Sequence, residues 1–175
     1  NQLHVTCGKG ASERVEKFDR VVMTAPSPII DKACEHLNAY ERERLNGAEY
    51  LGVVCTSLLL DRPLAGYYVT NIIDSWVPLT GIIEMGAIVE PQYLNGHYLV
   101  YLPRYLMSND AGFDEPDETI HERCLATLQR MYPNFNRSQV SAIQTARARH
   151  VMALPTLKYS EPLPPVVCSV PGLYL

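Results

Sequence analysis

Apolar positions along the chain follow two different periods. Leu3-His4-Val5-Thr6-Cys7 alternates with the period of a strand, and residues 15–24 end in the continuous apolar run Val21-Val22-Met23, which suits a strand covered on both faces. Gly8-Lys9-Gly10-Ala11-Ser12 between them is turn chemistry, so 3–7 and 15–24 predict a hairpin. Tyr50 to Leu60 is the strongest strand. Leu51, Val53, Cys55 and Leu59 share one parity and Tyr50, Val54, Leu58 and Leu60 the other, which predicts a central place in a sheet. Tyr67–Ile73, Gly81–Val89 and Tyr98–Leu102 follow as strands separated by loops at Pro78, Pro91 and Asn95-Gly96, the pattern of an antiparallel meander. Residues 139–150 read as a further strand with Arg147 and Arg149 on one side and His150 on the other.

The helical period appears three times. Ser27-Pro28 signals a helix start, and Ile29, Ile30, Ala33 and Leu37 make a stripe reaching about Asn38. Tyr40–Leu45 is a short second helix ending at Asn46-Gly47, a left-handed stop. Asp114-Glu115-Pro116-Asp117-Glu118 opens the best helix, where acidic residues favour the positive end; Ile120, Cys124, Leu125, Leu128 and Met131 form one face, and Pro133 stops it. Pro155–Pro171 holds five prolines and reads as an extended connector. The predicted class is α+β: a mixed, largely antiparallel β-sheet with helices packed on one face.

Composition narrows the function classes. The 175 residues are 47% apolar and 19% charged, the make-up of an ordinary globular core, with a net charge of −4. That balance argues against a general nucleic-acid binder, and no apolar run reaches the roughly 20 residues of a membrane span. Cys7, Cys34, Cys55, Cys124 and Cys168 are far apart and show no CxxC spacing, which predicts buried reduced thiols in a cytoplasmic protein. The five histidines show no ligand spacing, so no metal site is assigned. There is no G-x-S-x-G turn, and the carboxylates at 115–118 read as helix-start charges, so no catalytic residue is assigned either. Val170-Pro171-Gly172-Leu173-Tyr174-Leu175 reads as a turn and a strand start that needs a neighbouring sheet, which suggests a domain excised from a longer protein.

Three segments in order carry a resemblance. Phe18-Asp19-Arg20-Val21-Val22-Met23-Thr24-Ala25-Pro26 resembles the D-x-V-V-x-T-x-P strand of the FAD-dependent amine oxidase and protoporphyrinogen oxidase-like superfamily, which also holds the phytoene desaturases. Tyr98-Leu99-Val100-Tyr101-Leu102-Pro103 followed by Met131-Tyr132-Pro133-Asn134-Phe135 resembles its later strand and helix end. Val170–Leu175 resembles the strand that re-enters the flavin domain.

The resemblance implies the substrate-binding domain of an FAD-dependent oxidoreductase that oxidises a C–N or C–C bond by hydride transfer to flavin. It divides the chain into flavin-domain strands at 1–26, a substrate domain at 27–169 and a returning strand from 170 to 175. Thr24, Ala25 and Pro26 would then pass near the cofactor. Tyr67, Trp76 and Tyr101, with Tyr68, would supply aromatic wall to a small-molecule cavity, although packing on the sheet explains them as well. Arg104 and Arg147, with Arg149, would suit a carboxylate or phosphate clamp; ion pairs with residues 114–118 are the plainer reading. The superfamily's G-x-G-x-x-G turn is absent, because Gly8-Lys9-Gly10 continues into Ala-Ser-Glu. FAD is therefore expected in the parent protein and none on this fragment, which alone should be inactive. Its expected partner is the missing FAD-binding domain, and its exposed apolar ends could join two fragments as a dimer. A mutase resembling UDP-galactopyranose mutase and a free-standing ligand-binding module are the alternatives.

Overall fold

The computed structural model describes residues 2–161 and 163–175. In chain order the elements are β1 (Leu3–Cys7), β2 (Arg14–Phe18), β3 (Val21–Val22), α1 (Ser27–Ala33), α2 (Ala39–Asn46), β4 (Tyr50–Leu60), β5 (Val69–Asn71), β6 (Gly81–Glu84), β7 (Tyr98–Met107), α3 (Asp117–Met131), β8 (Val140–Ala153) and β9 (Leu173–Tyr174). They divide into two compact units. One is Tyr50–Met152; the other joins the residues up to Glu49 with Ala153–Leu175. The α+β class and the largely antiparallel pairing agree with the sequence expectation.

The unit of residues 50–152 is a five-stranded sheet in the order β5-β6-β7-β4-β8. It is not a simple meander. β4 skips its chain neighbour and pairs antiparallel with β7, from Leu51↔Met107 to Leu60↔Tyr98. Length decides this: β7 has ten residues to match the eleven of β4, while β5 has three. The predicted 67–73 and 81–89 strands are accordingly shorter, and the predicted 98–102 strand runs on through Pro103. Pro103 fits because its carbonyl accepts from Thr80 N–H at 2.9 Å, so its missing N–H falls on the side where β6 only begins, not on the β4 side. On the other flank of β4, Gly52 lies against Ala148 and Arg149, Thr56 Oγ1 is 3.0 Å from Thr145 Oγ1, and Asp61 N–H donates to Gln139 O at 2.9 Å. Numbers rise on one strand as they fall on the other, so β8 also runs antiparallel.

Helix α3 covers one face of this sheet. Ile120, Cys124 and Leu128 recur every four residues and meet Val54, Leu58, Val100 and Leu102 in one buried cluster. Leu128, Leu58 and Leu60 are fully buried.

The other unit holds the hairpin β1–β2, with Leu3↔Phe18 and Cys7↔Arg14 at its ends. The predicted 15–24 strand breaks at a bend at Asp19, and β3 leaves the hairpin to pair in parallel with β9. Val21 N–H donates to Gly172 O at 2.9 Å and Met23 N–H to Tyr174 O at 2.8 Å. Gly172 sits at φ +89° with a Cβ position only 2.7 Å from Asp19 O, so glycine is required there. Val22 is 67% exposed, which corrects the expectation of cover on both faces.

Helix α1 starts one residue earlier than a Ser27 cap would place it, with Pro26 as its N-cap, and ends at Ala33 rather than Asn38. Asn38 has another task. It caps α2 by accepting from Glu41 N–H at 2.9 Å while Glu41 accepts from Asn38 N–H at 3.0 Å. Gly47 closes α2 at φ −76°, not in the left-handed region expected. The 155–171 connector is not simply extended: it turns at 157–160 and forms a bridge from Val167 to Tyr174. Pro162, one of its five prolines, lies outside the described residues.

Gly52 tests the packing of β4. A Cβ there would lie 2.6 Å from Ala148 O and closer still to Phe113 Cζ. Gly52→Ala is expected to destabilise by about 1–3 kcal/mol, the usual range for overpacking. Urea denaturation measures it, and a neutral result would contradict this packing.

Candidate functional site

The sheet of residues 50–152 has a second face, opposite α3. Residues paired across an antiparallel ladder share a face. Val69↔Ile83, Ile83↔Tyr101 and Ser57↔Tyr101 therefore form one row across four strands, with Tyr101 near its middle. Leu59 and Leu99 lie on one side of this row, and Cys55, Pro103, Val53 and Tyr105 on the other. This surface is apolar and aromatic. Leu51, Val53, Leu59, Leu99 and Tyr101 join neither buried cluster, in contrast to their neighbours on the α3 side.

The arginines lie elsewhere. Arg104 pairs with the buried Val54 and so projects on the α3 side. Its Nη1 donates to Glu115 Oε1 at 2.8 Å, and Arg123 of α3 donates to the other oxygen of the same carboxylate. Arg147 Nη2 donates to Glu115 O at 2.7 Å and to Asp117 Oδ1 at 2.5 Å. Arg149 Nη2 donates to Asp114 Oδ1 at 2.9 Å and its guanidinium lies over the Phe113 ring. Arg104 and Arg147 thus meet, but each is already engaged by an acidic partner at 114–117. The cluster fastens the 111–117 segment to β7, β8 and α3. The Arg123 hydrogen bond holds the Glu115 carboxyl below the usual carboxylate range; burial opposes this and Arg104 adds to it.

Tyr67 is 69% exposed, on the loop between β4 and β5. That loop is held by Glu84, only 2% exposed, whose carboxylate accepts from the N–H groups of Leu64, Ala65 and Gly66 at 3.0–3.3 Å. Glu84 N–H also donates to Tyr68 O at 2.9 Å. Trp76 is stacked under Arg130 of α3, with the guanidinium 3.6 Å from the ring centroid. The three aromatic candidates therefore stand apart: Tyr101 on the open face, Trp76 against α3 and Tyr67 on a clamped loop. Glu84 escaped the sequence reading. A carboxylate closing the apolar run Ile82-Ile83 was the available signal, since a charge there needs donors if it is buried.

In the other unit, Thr24, Ala25 and Pro26 follow the carboxyl end of β3 in the parallel pair and lead into α1. Thr24 is exposed. Strand, T-A-P turn and helix, with a second parallel strand arriving from the far end of the chain, form an arrangement of the kind that carries ligands at its strand ends. The sequence model of the flavin containing amine oxidoreductases matches residues 1–174.

The chain belongs to the flavin containing amine oxidoreductase family.

Two solved structures share its fold. A candidate protoporphyrinogen oxidase from Exiguobacterium sp. 255-15 aligns with 98% of this chain at a TM-score of 0.64 and 14% identity. An oxidoreductase from Methanosarcina mazei aligns with 99% of it at 0.63 and 16%. The chain spans 40% and 42% of those two proteins. No curated protein matches it. Among the described residues, no helix of this family member is long and apolar enough to cross a membrane, and no group of three or more His, Cys, Asp and Glu is placed to hold a metal ion.

Glu84→Ala removes the buried carboxylate that accepts from the Leu64, Ala65 and Gly66 N–H groups, so it is expected to cost about 1–3 kcal/mol and to speed amide exchange at Leu64–Gly66; protected amides there would contradict the clamp. The lowered pKa of Glu115 means that the unfolded chain binds the proton more tightly. Its stabilisation is full above the ordinary Glu pKa of about 4.3 and is lost as pH falls through the lower folded value. Glu115→Gln is expected to lower stability by about 1–3 kcal/mol at pH 7 and to shrink that gap at acid pH. Equal losses at both pH values in urea titrations would contradict it.

Proposed function

We propose that this chain is the substrate-binding part of an FAD-dependent oxidoreductase that oxidises a C–N or C–C bond, and that its open sheet face is one wall of the substrate cavity. The observation that carries the reading is the largely apolar face around the row Ile83, Tyr101 and Ser57, which neither buried cluster of the described residues uses. Such a surface suits an apolar substrate, while the Tyr101 hydroxyl offers one polar handle for orientation. Val69, Leu59, Leu99 and Tyr105 extend the wall and would keep water from the reacting bond.

The residues present fit one side of a flavin site only. Thr24, Ala25 and Pro26 lie where a strand end would flank a ring. No G-x-G-x-x-G turn is among them, so the pyrophosphate falls to the partner domain. The flavin, when bound, supplies the hydride acceptor. In this reading β3 and β9 belong with that partner domain. The peptide groups of Val22 point away from β9, because Val21 and Met23 bond to it, and they suit a further strand. Alone, the chain is inactive. The mutase alternative gains no support, because Arg104, Arg147 and Arg149 are each bonded to residues 114–117.

The test uses the chain alone and joined to a nucleotide-holding segment. The isolated chain is expected to elute without flavin absorbance. In the joined protein, anaerobic substrate is expected to bleach the flavin, and Tyr101→Ala is expected to lower kcat/KM about tenfold to hundredfold with unchanged melting. An unaltered kcat/KM, or a flavin-loaded isolated chain, would contradict the reading.

A further inference from the structure

One helix holds the chain beside two thiols. Cys34 is the C-cap of α1, and Cys168 lies in the segment leading to β9. Consecutive residues of α2 hold both neighbourhoods. Arg42 Nη2 donates to Cys34 O at 2.9 Å. Glu41 accepts from the backbone N–H of Ser169 and from its hydroxyl, the latter at 2.7 Å. Adjacent Cα atoms are about 3.8 Å apart, so these two anchors lie one residue apart on the same helix.

Both side chains belong to one apolar cluster. Cys34 and Cys168 both pack on the cluster of Ile30, Leu37, Leu45 and Leu173. Cys168 Sγ is 3.3 Å from Leu173 O, and Leu173 and Cys34 line one open groove of about 490 Å³. Both thiols are half-buried and free. Burial, and then the neighbouring Cys168, push the Cys34 thiol up, while Arg42 pulls it down.

We propose that Cys34 and Cys168 form an oxidisable pair that closes to a disulfide under a hydroperoxide, tying the end of α1 to the segment that feeds β9. Cys34 lies in the groove and meets the oxidant first. Its thiolate attacks one peroxide oxygen, the O–O bond breaks, and a sulfenic acid and hydroxide result; the hydroxide takes up the proton the thiol released and becomes water. The Cys168 thiolate then attacks the Cys34 sulfur and expels hydroxide, which takes up a proton. In sum, two thiols and one hydrogen peroxide give one disulfide and two waters; the two sulfurs together lose two electrons and the peroxide gains them. The raised thiol makes the reaction faster at pH 9 than at pH 7, because only the thiolate reacts. Cys55 and Cys124, where burial and then the Cys124 charge likewise push the Cys55 thiol up, serve as an internal control. Cys55 pairs with Pro103 on the open face, whereas Cys124 donates to Thr56 on the α3 side, so β4 separates them.

This pairing is independent of the flavin reading, because its test needs no cofactor or substrate. The whole chain is treated with stoichiometric hydrogen peroxide, then unfolded, alkylated and mapped by mass spectrometry. Five alkylatable thiols are expected to become three, with a Cys34–Cys168 linked peptide that dithiothreitol releases. Cys168→Ser is expected to stop Cys34 at a sulfenic acid trapped by dimedone. Five thiols after peroxide, a different pair, or a link only between two copies would overturn the proposal.

Discussion

The packing of α3 on one face of the five-stranded sheet is the constraint on which the rest depends. Leu58 and Leu60 of β4 and Leu128 of α3 are fully buried, and each large apolar side chain so buried contributes about 1.5–3 kcal/mol. The strand pleat then settles what is left. Every residue that turns toward α3 forces its neighbours to turn the other way, so a sheet apolar on both parities has one face to spare. Tyr101 stands on the spare face because Val100 and Leu102 are in the core.

Charge follows the same division. The arginines of β7 and β8 bond to the acidic residues of the 114–117 segment, and Arg123 of α3 joins them. Glu115 receives Arg104 and Arg123, and Asp117 and Asp114 receive Arg147 and Arg149. Such partly exposed pairs contribute modestly one by one, but as a network they position a segment. The open face carries no such network in its Val69–Ile83–Tyr101–Ser57 row, which is the chemical reason for assigning ligand contact to it rather than to the arginines.

Much of this was legible in the sequence. Double-parity apolar residues marked β4, the stripe from Ile120 to Met131 marked α3, and the acidic 114–118 run announced both a helix start and partners for Arg147 and Arg149. What escaped depended on distant pairings. Nothing local says that β4 will choose β7 over β5, or that Val21 will leave its hairpin to meet Leu173, because each choice is made by a strand tens of residues away. Glu84 escaped for a related reason: its donors are in a loop about twenty residues earlier, and only the folded chain brings them together. The family resemblance reached further than the local patterns, since three ordered segments pointed to the flavin-containing family that matches residues 1–174. It could not place Tyr67, Trp76 and Tyr101 on separate surfaces.

The most direct measurement of the central claim is a crystal structure of the flavin-loaded protein that contains this chain, with a substrate analogue bound. The account predicts the analogue between the flavin ring and the face bearing Ile83, Tyr101 and Ser57. An analogue seated on the α3 side, against Arg104 and Arg147, would contradict it.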